Sequence, residues 1–290
     1  MMSLNSKGWK YVGIVALLSI IPYYFIIQAG DSDSSWTLAL MWVPALAAII
    51  MRLLNKASLF NGIQWNPLKD FKWLLVAAFT PLIIEILSLI LTLLLDGAEL
   101  KPDFISLDDG KVSIKGVALI FGAASQPWYL FIFNYLISFF VGTLFYGLLF
   151  TLGEEYGWRG YLQKQWAPVN EFKGFVAIGV VWGLWHFPAI LLGHNYPHYP
   201  ILGAFILMPL LCTLFSIVFG LAFSRKHVIW VAILFHSALN LSSDVSNTAF
   251  IESTVSRPVN DMIWTLLWLI TALIFWTNFK YKIKNKNEVI

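Results

Sequence analysis

YLFIFNYLISFFVGTLFYGLLFTLGEEYGWRG, residues 129–160, decides how this chain is read. A run without a single charge from Tyr129 to Leu152 is followed at once by Glu154, Glu155 and Arg159. The run exceeds the roughly 20 residues that an α-helix needs to cross a bilayer. Ionisable side chains in or beside such a span are costly, face the protein interior and mark functional sites by default. On a helix Glu155 and Arg159 are four apart and can pair, with the acid N-terminal to the base, the favourable order. Glu154 points about 100° away, onto another face. One carboxylate therefore reads as structural and its neighbour as available for chemistry. A cluster that only anchors a helix end would look the same, so the rest of the chain has to decide.

Composition fixes the class. Hydrophobic residues make up 59% of the 290 and charged residues 12%, against roughly 45–50% and about 25% in soluble domains. This is the composition of a polytopic, all-α integral membrane protein. Its one cysteine, Cys212, excludes an intramolecular disulfide framework and a cysteine zinc site. A net charge of +3 implies no nucleic-acid partner; the bilayer is the partner that composition does imply.

A ruler of about 20 apolar residues yields a bundle of about eight transmembrane helices, at 9–27, 36–54, 71–95, 128–152, 175–192, 201–223, 228–241 and 262–279. The third carries Glu85 at its centre. Residues 96–115 form a polar stretch, and 116–124 are apolar but too short to span, which reads as an interfacial or re-entrant piece. Lys and Arg are enriched in cytoplasmic loops. With both termini in the cytoplasm, only Lys101, Lys111, Lys115 and Arg257 of the 19 basic residues fall outside. Glu154 and Glu155 then lie near the cytoplasmic end of the fourth span, and the expected cavity opens to that side. The plasma membrane is the expected location.

Five histidines are present. His194 and His198 fall in a short outer loop and His227 beside Arg225 and Lys226, where a loop needs no further explanation. His186 and His236 fall inside spans, in Trp182-Gly183-Leu184-Trp185-His186-Phe187-Pro188 and Phe235-His236-Ser237-Ala238-Leu239-Asn240. A buried imidazole in lipid must find partners, and helix-to-helix hydrogen bonding alone would satisfy one. His236 and Asn240 share a helix face, as do Trp182 and His186. Three spans thus bring polar groups that can meet in the bundle interior. A carboxylate near water is a general base, an imidazole can steer the water, and a second His with an Asn amide can bind an oxyanion. Glu154, His186 and His236 also make the ligand set of a catalytic zinc ion with one open position. His-Glu-x-x-His, Gly-x-Ser-x-Gly and glycine-rich phosphate loops are all missing.

Glu154-Glu155-x-x-x-Arg159, Trp182-x-x-x-His186 and His236-x-x-x-Asn240, in that order, resemble the three motifs of the CAAX protease and bacteriocin-processing family, also called the Abi or type II CAAX prenyl endopeptidase family. The resemblance covers about 128–241. It implies an eight-helix membrane endopeptidase that cuts a protein or peptide substrate, prenylated or membrane-bound, near its C-terminus or in a membrane-proximal segment. Residue by residue, it implies that Glu154 activates water, His186 assists, His236 and Asn240 form the oxyanion hole, and Glu155 with Arg159 braces the helix. Residues 1–115 would then be three N-terminal spans with the polar loop, and 116–290 the catalytic core, with its motifs in 154–240, and a basic tail. Family members are usually labelled metallopeptidases, whereas a metal-free assignment gives every motif residue a duty. Trp182 stands where the family more often has Phe, a change that bears on packing. Bacteriocin self-immunity by binding and small-solute transport are the competing readings. The first would retain a peptide without cutting it, and the second would use Glu85 as part of a proton path.

Overall fold

A computed structural model describes residues 4–30, 35–168, 170–251 and 256–287. It is an all-α integral membrane protein with one small sheet. Six helices are long and apolar enough to cross a membrane: Ser6–Ala29, Trp36–Leu54, Pro67–Leu94, Trp128–Trp166, Pro200–Ser224 and Pro258–Phe279. Two shorter apolar helices, Phe172–Trp185 and Ile229–Ser243, occupy the places expected for the fifth and seventh spans. In chain order the principal helices are α1 (Ser6–Ala29), α2 (Trp36–Leu54), α3 (Phe71–Leu94), α4 (Trp128–Trp166), α5 (Phe172–Trp185), α6 (Pro200–Ser224), α7 (Ile229–Ala249) and α8 (Ser256–Asn287).

Local chemistry sets several boundaries. Asn5 caps α1, its side chain accepting from Gly8 N at 2.9 Å, and Gly30 closes the helix in the left-handed conformation at φ +64°. The fifth span is shorter than the hydropathy run 175–192 suggests. Pro188 has no N–H to give to the preceding turn and its ring clashes with the carbonyl four residues back, so α5 stops at Trp185 and a short separate helix, Phe187–Leu191, with Pro188 in its first turn, follows. The tail residues 285–287 continue α8, and 288–290 lie outside the described residues.

The chain divides into two compact units. The first comprises Met1–Trp73, Leu149–Ile233 and Trp268–Ile290. Within it α5 lies closely against α6: a Cβ at Gly183 would strike the backbone of Pro209. Small residues that let helix backbones approach are the usual means of association in membranes. The C-terminal part of α4 lies against α2 in the same manner, since a Cβ at Gly157 would strike Tyr11 Oη and Pro44.

The second unit comprises Leu74–Leu148 and Leu234–Leu267. Here the polar stretch forms a hairpin, β1 Ile105–Asp108 and β2 Lys111–Ile114, extended by β3 Gln126–Pro127 in the order β1-β2-β3. Asp109 and Gly110 make its turn at φ +43° and +72°, the pair of positive φ values that suits a tight hairpin. Residues 116–125 form no helix; Asn134 and Ser138 of α4 hold their backbone, Ser138 Oγ accepting from Ile120 N at 2.9 Å.

Candidate active site

The motif Glu154-Glu155-x-x-x-Arg159 occupies an irregular part of α4. A π-helical turn, Gly147–Thr151, precedes the six α-helical residues Leu152–Gly157, and a second, Trp158–Leu162, follows them. Such turns occur mostly inside α-helices at functional sites, because the wider turn loosens the regular ladder and redirects side chains. Neighbouring elements supply the hydrogen bonds the ladder gives up. Arg52 of α2, itself buried, donates from Nη2 to Gly160 O at 2.6 Å and from Nη1 to Ser58 O and Asn61 O. Its guanidinium also lies over the rings of Tyr156 and Tyr161. Thr151 Oγ1 donates to Ile233 O at 3.2 Å.

Both motif carboxylates are buried, Glu154 at 2% exposure and Glu155 at 0%. Arg159 Nη1 donates to Glu155 Oε1 at 3.0 Å, one turn along the same helix, so the pairing expected from the spacing is present. A buried ion pair loses hydration that its geometry must replace. Here the guanidinium lies 4.4 Å from the Trp182 ring centroid and 5.2 Å from that of Phe219, and cation–π attraction supplies part of the replacement. Glu154 is held differently. Its Oε2 accepts from Trp182 Nε1 at 2.7 Å and from Trp158 Nε1 at 3.4 Å. An indole N–H can only donate, so both rings fix this oxygen as an acceptor.

His186 stands where α5 ends, with φ −79° and ψ −10°. Its backbone N–H turns back to Gly183 O at 3.1 Å, and the carbonyl of Trp182 is bonded instead to the imidazole Nδ1 at 2.8 Å. A carbonyl can only accept, which assigns the hydrogen to Nδ1 and, in the neutral ring, the lone pair to Nε2. Trp182 therefore touches both candidates, Glu154 through its indole and His186 through its carbonyl. Trp185 secures the same helix end: its Nε1 donates to Ser19 Oγ at 2.8 Å and its carbonyl accepts from Tyr23 Oη.

His236 and Asn240 lie on α7 in the second unit. His236 is buried at 4% exposure, and Asn240, one turn on, is half-buried with its carbonyl accepting from Ser243 Oγ at 2.9 Å. His194 and His198 lie in the connection between Leu191 and Pro200. His227 lies in the connection between α6 and α7, against the Phe223 ring, where burial first and the Lys164 charge second hold its pKa below the ordinary histidine value.

A catalytic zinc ion takes three protein ligands and leaves one position open. Among the described residues no three His, Cys, Asp or Glu side chains gather as such a set. Glu154 Oε2 already accepts from two indoles.

Sequence reasoning missed the part played by Trp158 and Trp182, which count as apolar in any hydropathy reading. The spacing held the signal: Trp158 is four residues after Glu154, on its face, and Trp182 opens the second motif. The departure from Phe at 182 is thus chemical as well as steric, because Phe has no N–H to give Glu154.

Residues 136–242 match the family described as type II CAAX prenyl endopeptidase, Rce1-like. Over these residues the chain is similar to that family. The Rce1-like stretch contains Glu154, Glu155, Arg159, Trp182, His186, His236 and Asn240. The CAAX prenyl protease 2 of Methanococcus maripaludis is 35% identical over 130 residues, which are 40% of this chain and 46% of that relative. The match thus spans about half the length of the curated relative.

Proposed function

We propose that this chain is an intramembrane CAAX-type endopeptidase, which hydrolyses a peptide bond near the C-terminus, or in a membrane-proximal segment, of a prenylated or membrane-bound protein or peptide. Glu154 takes a proton from the attacking water, His186 steers that water through Nε2, and His236 with Asn240 donates to the carbonyl oxygen as it becomes an oxyanion. Glu155 and Arg159 hold the helix that carries the base. One observation carries the reading: within the Rce1-like stretch, a buried carboxylate is oriented by two indole donors while an imidazole hangs from the backbone of one of those same indoles. The relative's printed name supports prenyl-CAAX chemistry, and the proposed route has Glu154 activate the water without a metal.

The protein is proposed to lie in the plasma membrane with both termini in the cytoplasm, on the strength of its basic loops. Reporter fusions after Lys56, Lys226 and Ile290 should then read cytoplasmic, and fusions near Asp108 and Asn195 external. The functional test is to compare cells carrying the native chain with cells carrying Glu154→Ala or His186→Ala. A prenylated peptide or protein that keeps its C-terminal residues only in the variants identifies the substrate. Equal processing in all three, with the variants present in the membrane, contradicts the proposal. Native protein purified without added metal should also hold sub-stoichiometric zinc and cleave after exhaustive chelation. Stoichiometric zinc that disappears in His186→Ala would contradict the metal-free part alone.

A further inference from the structure

Four buried side chains form an unbroken line in the first unit. Glu155 Oε1 accepts from Arg159 at 3.0 Å, the Arg159 guanidinium lies 4.4 Å from the centroid of Trp182, and Trp182 Nε1 donates to Glu154 Oε2 at 2.7 Å. Each is at most 2% exposed, so no bulk water screens the line. We propose that Trp182 is a positioning residue that joins the ion pair to the base: the cation on its face strengthens its N–H as a donor to Glu154 Oε2 and so holds the carboxylate in place. The inference rests on Glu154 being the base and adds what holds it.

A cation over an aromatic face draws on the electron density of the ring. An indole so polarised is a stronger donor, since hydrogen-bonded and charged groups in a low-dielectric interior reinforce one another. Hydrogen bonds to charged groups are the strong class, shorter than neutral ones, and the 2.7 Å separation at Trp182 falls there, unlike the 3.4 Å at Trp158. Trp158 is thus the weaker guide and Trp182 the principal one. Phenylalanine at 182 would keep the cation–π stack and lose the link to Glu154. The motif Glu154-Glu155-x-x-x-Arg159 therefore works in this chain as one unit, with Trp182 as its connector.

The test uses the full chain in nanodiscs with ¹⁵N-labelled indoles. The N–H resonance that vanishes in Trp182→Phe belongs to Trp182. It should move upfield in Glu154→Gln, which weakens the acceptor, and again in Arg159→Lys, which removes the planar cation from the ring face. Where Arg159→Lys does not fold, Glu155→Asp draws the guanidinium off the ring while keeping both charges. A resonance that stays put in Glu154→Gln overturns the hydrogen bond, and one that moves there but not when the cation is shifted overturns the relay. These readouts need no turnover, so they stand apart from the hydrolase reading. With a farnesylated CAAX peptide as probe, Trp182→Phe should lower kcat about tenfold to a hundredfold with KM unchanged, the scale of a lost hydrogen bond to a charged group. Arg159→Lys should cost less in the Trp182→Phe background than in the native one. Equal costs in both backgrounds, with native activity intact, overturn the coupling while leaving Glu154 as the base.

Discussion

Glu85 in the second unit and Glu154 in the first are both buried carboxylates on apolar helices, at 1% and 2% exposure, and they are housed in different ways. Glu85 sits in the middle of α3, a regular helix. Ser88 and Thr92 share its face, and both hydroxyls donate to Asn260 Oδ1, at 3.1 and 3.0 Å. Glu154 sits in a short α-helical piece between two π-helical turns, bonded by two indoles beside an arginine ion pair. Hydroxyls and amides both give and accept, which makes them adaptable contacts between membrane helices. Indoles and guanidinium only give, so they determine where negative charge sits. The proposed base is the carboxylate that two such one-way donors orient.

The largest structural effect should come from the ion pair. Arg159→Ala leaves Glu155 buried without its cation and should cost about 3–5 kcal/mol, seen as a collapse of thermal stability in detergent. Exchanging Glu155 and Arg159 together should recover part of the loss, and a double variant no better than either single one would break the comparison. Next comes the close approach behind the motif. Gly157→Ala should cost about 1–3 kcal/mol, because a methyl group there meets Tyr11 and Pro44 and cannot be absorbed. On the other side of the comparison, Ser88→Ala or Thr92→Ala should each cost only about 0.6 kcal/mol, the usual scale of a hydrogen bond between membrane helices.

The smallest effect is that of pH at His227. Its pKa is lowered in the fold, so the unfolded chain binds the proton first as pH falls. The stability that neutral His227 contributes is therefore full above about pH 6.5 and fades below it. Melting temperature should decline on that side and decline less in His227→Gln. Identical pH profiles for the two proteins would show that the Phe223 and Lys164 surroundings carry no such linkage.

Much of this was legible in the sequence. The apolar runs located the six long helices, and the four-residue spacing announced the pair of Glu155 and Arg159. What hydropathy hid was directional. Trp158 and Trp182 score as greasy residues, yet one N–H on each determines how Glu154 is held. The break at His186 was also written in the chain, since Pro188 cannot continue a helix, but a ruler that sums hydrophobicity does not register a missing donor. The hairpin had its own signal, Asp109-Gly110 between the alternating runs Ile105-Ser106-Leu107 and Val112-Ser113-Ile114. A reading that seeks 20-residue spans passes over four-residue strands.

The most direct measurement is cleavage of a farnesylated CAAX peptide in proteoliposomes containing the native chain, Glu154→Gln or Glu85→Gln, each first shown to be folded. The native chain and Glu85→Gln should release the residues that follow the prenylated cysteine at similar rates. Glu154→Gln should be slower by about 10²–10⁴, the range a positioned general base supplies. Cleavage by Glu154→Gln at the native rate, or an equal loss in Glu85→Gln, would contradict the assignment of Glu154 as the base.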